Sequence, residues 1–401
     1  MYSSWHLKHS NELNLYPVNL LNYLSNCSLY STDASSSSGS IYVQLLQLSM
    51  MASDAMPQLL LQLLLVTFVL VDAKSNVTSI IVFGDSSVDT GNNNQIVTIA
   101  KSDFEPYGRD FPGGRPTGRF SNGRVATELI SEAFGIKPII PAYLDPAYNI
   151  TDFVDGVCFA SAATGYDNAT SQVLNVIPLW KQVEYFKDYQ KKLRRYLGAK
   201  KAHWMLKEAL YMVSLGTNDF LENYYATSRR SSQYKIEEYQ DFLIRIAESF
   251  AREMYDLGAR KMSLGGIAPM GCMPLERTVN VRDGGGCVEK YNRVAMEFNG
   301  KLEALAARLR AQLTGFRLVY SNIYDTVLQA IENPSTYGFE NVAVGCCGTG
   351  MYEMGYLCDK YNPFTCKDAS KYIFWDSFHP TERTDQIVAE HVMKTSLAEF
   401  V

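Results

Sequence analysis

The chain has 401 residues, with 37 Lys and Arg against 42 Asp and Glu, a formal net charge of −5 and a hydrophobic fraction of 47%. That length allows one large α/β domain or two modest ones with a sizeable core. The acidic balance, without a basic stripe, argues against nucleic acid as a partner.

Residues 1–50 are rich in Ser, Asn, Leu and Tyr, include the tract Ser35-Ser36-Ser37-Ser38-Gly39, and show no periodicity. They are expected to form a disordered N-terminal extension. At Met51 the character changes: Leu59 to Val71 reads LLLQLLLVTFVLV and leads to Asp72-Ala73. This is an apolar core of signal-peptide length followed by small residues, and it is too short for a comfortable membrane span. Residues 51–73 are therefore expected to be a signal peptide, although Met51-Ala52-Ser53-Asp54 lacks the usual positive charge. A buried helix or a membrane anchor is the alternative. Residues 74–401 then form a single domain.

Two further features agree with secretion. Asn-x-Ser/Thr sequons stand at Asn76, Asn149 and Asn168. Cys27 precedes the cleavage point, Cys272 and Cys287 bracket one loop, and Cys346, Cys347, Cys358 and Cys366 crowd a second. Loop-clustered cysteines in a secreted chain point to disulfides. Zinc is the competing reading, but no close Cys-x-x-Cys pair or neighbouring histidine accompanies them. Cys158 lies in an apolar run and is expected to be a free, buried thiol.

Beyond residue 78, apolar strand-like runs alternate with long amphipathic segments. The runs predict strands at Ile80–Phe83, Val157–Ala160, Leu210–Leu215, Met262–Leu264 and Phe316–Tyr320. Helices are predicted over Val125–Phe134, Leu179–Leu197, Ile236–Leu257, Tyr291–Leu313 and Asp385–Phe400. This alternation points to βαβ units and an α/β fold with a parallel sheet. Gly84-Asp85-Ser86, Ser161-Ala162-Ala163 and Gly216-Thr217-Asn218-Asp219 each begin where a strand run ends. Ligands of open parallel sheets bind at the carboxyl ends of strands, so these segments are expected to converge.

Ser86 follows a tight Gly-Asp turn and suits a nucleophile, although an ordinary N-cap serine reads the same way. Of five histidines, His379 alone sits in a loop-like Phe-His-Pro context with a carboxylate, Asp376, three residues before it. Asp376 can hold one ring nitrogen while the other takes the Ser86 proton. Asn218 can donate its amide to a developing oxyanion, and the small-residue run Gly156–Gly165 can offer a backbone N–H for the same purpose. Asp219 is expected to fix the Asn218 turn. The Gly- and Arg-rich stretch Pro112–Arg124 lacks Gly-Lys-Ser/Thr, so it reads as a structured loop beside the crevice and not as a phosphate loop. Asp85, Asp89 and Asp219 have no clustered histidines, so no metal and no cofactor are expected.

These blocks together resemble the plant GDSL esterase/lipase family of the SGNH hydrolase superfamily. The resemblance covers nearly all of residues 78–400. It rests on Val82-Phe83-Gly84-Asp85-Ser86 with Asp89-Thr90-Gly91-Asn92-Asn93, on Pro116–Arg124, Gly216-Thr217-Asn218-Asp219 and Gly265–Cys272, and on Cys346-Cys347-Gly348-Thr349-Gly350 and Phe374–Glu382. It implies a three-layer α/β/α sandwich, flavodoxin-like, with a mostly parallel sheet. It also implies Ser86 as nucleophile, His379 as base, Asp376 as its partner, and Ser86, Ala163 and Asn218 around the oxyanion. The family usually has Gly where this chain has Ala163. Alanine keeps the N–H, and activity is expected to survive unless the position requires φ > 0.

The expected function is that of a secreted esterase or lipase acting on lipid, cell-wall or phenolic esters. An extracellular acyltransferase of the same mechanism, or a silent lipid- or carbohydrate-binding protein, are the alternatives.

Overall fold

The computed structural model describes residues 77–280 and 285–401. The expected N-terminal extension, the signal peptide, the sequon at Asn76 and Cys27 lie outside the described residues. Ala73–Val401 make one compact unit.

Five strands form its central sheet: β1 Ile80–Gly84, β2 Gly156–Cys158, β3 Leu210–Ser214, β4 Lys261–Gly265 and β5 Arg317–Ser321. Their order is β2-β1-β3-β4-β5 and every pairing is parallel. The order reverses at β1, which is where ligands of doubly wound sheets bind.

Both faces of the sheet are buried, so its strands read as apolar runs. Successive side chains point to opposite faces. Ile81, Phe83, Tyr211, Val213, Met262 and Leu264 join one core cluster. That cluster is completed by helices α1 Leu179–Leu197, α2 Ile236–Asp256 and α3 Glu289–Gln312. Ile80, Val82, Leu210 and Met212 join a second cluster. Its helical cover is Ile130 and Phe134, on and just after the helix Ala126–Ala133, with Ala389 and Val392 of the helix Glu382–Lys394. Helices on both faces of one sheet make the expected three-layer α/β/α sandwich.

Three differences from the sequence reading have local causes. The predicted helix Asp385–Phe400 starts earlier, because the Thr381 side chain caps it by accepting from Thr384 N, and it ends at Lys394. A short 3₁₀ turn, Ala398–Phe400, follows separately. A second, two-stranded parallel sheet pairs Asn341–Gly345 with Tyr372–Phe374 and carries the Asp376 loop beyond it. Asn341–Gly345 is mostly half-exposed and its pairing is interrupted by a bulge, and Tyr372–Phe374 has only three residues, which leaves little apolar pattern to read. Asp219–Ala226 forms a wide π-helical turn directly after Asn218.

The cysteines pair as Cys272–Cys287, Cys346–Cys366 and Cys347–Cys358, and Cys158 is free and buried.

Candidate active site

Ser86 sits in the first turn after β1, where Asp89 N donates to Asp85 O at 2.9 Å. Asp85 shapes that turn: its Oδ1 accepts from Ser87 N at 3.0 Å and from the Ser87 hydroxyl at 2.7 Å. Gly84 is required at the strand end, because a Cβ there would lie 2.5 Å from Ser214 O and 2.6 Å from the Val88 side chain. Gln182 on α1 clamps the same peptide, accepting from Gly84 N at 3.0 Å and donating to Gly84 O at 2.9 Å. Nothing in the sequence pattern singled out Gln182. It is an amide on the buried face of an amphipathic helix.

Ser86 Oγ lies 2.8 Å from His379 Nε2, and His379 Nδ1 lies 2.8 Å from Asp376 Oδ2. Asp376 is fully buried and well supplied with donors. Its Oδ1 accepts from the backbone N–H groups of Phe378 and His379 at 2.8 and 2.7 Å. Such donors hold the carboxylate in place behind the imidazole. Phe120, from the Gly- and Arg-rich stretch, packs on the imidazole with ring centroids 4.7 Å apart. In the same stretch, Arg119 forms a buried two-pronged pair with Glu128 at 2.7 and 2.6 Å. That pair anchors the loop that carries Phe120.

Tyr107 is a further member that the sequence reading missed. Its hydroxyl donates to Asp376 Oδ2 at 2.7 Å and accepts from Gly355 N at 2.9 Å. No local motif marks it, because it lies 269 residues from its partner.

Ala163 and Asn218 line the same cleft as Ser86 and His379. Asn218 spends one amide hydrogen on Thr164 O at 3.0 Å, which leaves the second available. Among the described residues, the N–H groups of Ser86 and Ala163 have no acceptor. Ala163 adopts φ 65°, so this position does demand the left-handed conformation, and alanine there carries strain that glycine would not. The neighbouring N–H of Ala162 is tied to Asp89 Oδ2 at 3.0 Å, which joins the first block of the sequence to this loop.

Asp219 fixes the loop from the other side, and not the Asn218 turn that the sequence pointed to. It accepts from Tyr166 N at 2.8 Å, Asp167 N at 3.0 Å and the Thr170 hydroxyl at 2.6 Å. A Cβ on Gly165 would run into its carboxylate. Burial pushes the Asp219 carboxyl up to about 7 against those hydrogen bonds. Glu222, also on the cleft wall, is pushed up to about 8 by burial and then by the charges of Asp85 and Asp219.

The arrangement holds a hydroxyl, a base with a buried carboxylate behind it, and unspent donors from three separate segments. Those are the parts of an acyl-transfer site. Among the described residues no group of His, Cys, Asp and Glu is placed to hold a metal ion.

Residues 80–392 match the family of GDSL-like lipases/acylhydrolases. The chain is also similar to GDSL esterase/lipases of Arabidopsis thaliana. One is 59% identical over 325 residues, which span 81% of this chain and 93% of the relative. A second is 61% identical over 322 residues, spanning 80% and 92%. A third is 56% identical over 344 residues, spanning 86% and 98%.

Proposed function

The chain belongs to the GDSL esterase/lipase family and is a carboxylic-ester hydrolase, and from that premise we propose that it is a secreted serine enzyme working through Ser86, His379 and Asp376. Ser86 Oγ attacks the ester carbonyl while His379 Nε2 takes its proton. The developing oxyanion accepts from the N–H groups of Ser86 and Ala163 and from the free amide hydrogen of Asn218. Collapse expels the alcohol, which leaves with the proton from His379, and an acyl group remains on Ser86. Water then gives its proton to His379 and attacks the acyl carbon, releasing the acid and restoring Ser86. Asp376 holds the ring in orientation and steadies the imidazolium.

The observation that carries this reading is the Ser86 Oγ–His379 Nε2 separation of 2.8 Å, with Asp376 2.8 Å behind the other ring nitrogen. Secretion is supported by the apolar segment before Ala73, by three disulfides, and by the exposed sequon at Asn149. No helix among the described residues is long and apolar enough to cross a membrane. In this reading residues 1–50 are an extension, residues 51–73 a signal peptide, and residues 74–401 a single hydrolase domain.

The test is turnover of p-nitrophenyl esters by protein secreted from a start at Met51, with Ser86→Ala beside it. Ser86→Ala should lose at least a thousandfold in kcat. Unchanged turnover in that variant overturns the assignment. Adding an alcohol acceptor and analysing the products separates hydrolysis from acyl transfer.

A further inference from the structure

Ser86, Phe378 and His379 line two cavities, not one. The outer cleft is the one already described, with Ala163 and Asn218 on its wall and Ile99, Tyr356 and Leu357 at its rim. The inner cavity runs along the carboxyl ends of β3, β4 and β5, on the face covered by the helix Glu382–Lys394.

We propose that the inner cavity is the acyl site, taking an uncharged, unbranched acyl chain of medium length while the alcohol occupies the outer cleft. This rests on the esterase reading above.

Four observations carry it. First, the walls are apolar: Met212, Ile323, Val327, Val388 and Val392 all face the cavity. Second, its floor is made of small residues at the strand ends, Ser214, Gly265 and Ser321, where the opposite face of the sheet carries large ones. The hydroxyls on that floor are already paired. Ser87 bonds Ser214 at 2.8 Å, Ser263 bonds Ser321 at 2.7 Å, and Ser321 bonds Ser396 at 2.7 Å. An apolar chain laid over them strands none of these hydroxyls; among the described residues the unpaired polar atoms of the lining are Thr127 Oγ1 and Asp385 Oδ2, away from that floor.

Third, Ser87, Ser214, Gly265, Ile323 and Val388 remain half-buried although they lie between two layers of the sandwich, so the space is open and not merely loose packing. Fourth, among the described residues no Lys or Arg lines it, and burial holds the Asp385 carboxyl well above the usual carboxylate range. A carboxylate or phosphate would find no counter-charge there, so the ligand's far end is neutral.

The cavity extends from the end of β1 to the end of β5, across three strand spacings. That is about 14 Å, or roughly ten to twelve carbons of an extended chain. Each methylene that enters should raise kcat/KM about threefold to fourfold until the cavity is full.

The experiment compares p-nitrophenyl esters from acetate to hexadecanoate on the wild type, Val388→Trp and Ile323→Trp, the two substitutions filling the cavity from different elements. The wild type should prefer decanoate over acetate by more than tenfold in kcat/KM. Each filled variant should lose at least tenfold on decanoate, through KM, and stay within about twofold on acetate, which also shows that it is folded. Equal losses on both esters in both variants, or no loss on decanoate, overturn the proposal. If the wild type cleaves no ester, the esterase reading fails and the cavity is judged by binding of a fluorescent fatty-acid analogue displaced by decanol. Binding that Val388→Trp abolishes upholds the site, and absent or unaffected binding overturns it.

Discussion

The Tyr107 hydroxyl and the His379 imidazole meet on one oxygen, Asp376 Oδ2, at 2.7 and 2.8 Å. The phenol is fully buried, and desolvation together with the Asp376 charge pushes its pKa well above the usual value, so it acts only as a donor to the carboxylate. It competes with the imidazole for negative charge and fixes the carboxylate plane. Tyr107→Phe removes the donor and keeps the ring, which packs on Phe104, Phe120 and Trp375. We expect kcat to fall about tenfold with KM nearly constant, stability to fall by about 1 kcal/mol, and the acid limb of the kcat/KM profile to move to higher pH. An unmoved limb would make Tyr107 merely structural.

Ala163 stands at φ 65° with its N–H unspent. A left-handed alanine costs about 1–2 kcal/mol relative to the right-handed form, and glycine avoids that cost but loses more entropy on folding. Ala163→Gly should therefore raise Tm slightly or leave it unchanged, and hold kcat/KM within about threefold. Ala163→Val, with a β-branched side chain, should lower both, since branching makes positive φ far harder to reach. A loss of orders of magnitude in Ala163→Gly, measured by ester hydrolysis, would remove Ala163 from the oxyanion site.

Much of this site was legible in the sequence because its parts are local. Gly84-Asp85-Ser86 and Asp376–His379 each carry their geometry within a few residues, and strand ends told where they would meet. The sheet was legible too, since β1, β2 and β3 are buried on both faces and read as apolar runs, whereas β4 and β5 carry Lys261, Ser263 and Arg317 and show only short ones. What stayed hidden depends on pairs far apart in the chain. Tyr107 and Gln182 look like ordinary members of a loop and a helix until the fold brings them to Asp376 and Gly84. The strand Asn341–Gly345 alternates too weakly to be seen, and the φ of Ala163 follows from tertiary ties at Ala162 and Gly165 that no alanine announces.

The Cys347–Cys358 disulfide closes the loop that carries Met354, Gly355, Tyr356 and Leu357 to the cleft wall, and Gly355 is the residue that donates to Tyr107. Replacing both cysteines by serine should cost about 2–4 kcal/mol. It should also lower activity beyond what Tyr107→Phe does, because the cleft wall loosens as well. The measurement is Tm and kcat/KM of the double variant at 20 °C below its own Tm. A folded variant with wild-type kcat/KM would show that the loop has no part in the site.

Several buried carboxyls set the pH dependence of stability. Burial pushes Asp219 and Glu276 up to about 7, and burial with neighbouring charge pushes Glu222 to about 8. In the unfolded chain these groups titrate near 4. Between about pH 4 and pH 8 the unfolded chain therefore binds fewer protons than the folded one, and stability falls as pH rises through this window. Tm should be highest near pH 5 and decline toward pH 8. Among the described residues Glu222 Oε2 has no hydrogen-bond partner, so Glu222→Gln removes the titration without breaking a bond. Thermal melts of this variant from pH 5 to pH 9 should show a shallower decline than the wild type, with the gap widest near pH 8. A variant whose Tm tracks the wild type at every pH would mean that Glu222 ionises at its ordinary value in the folded protein, exposed to water in the cleft.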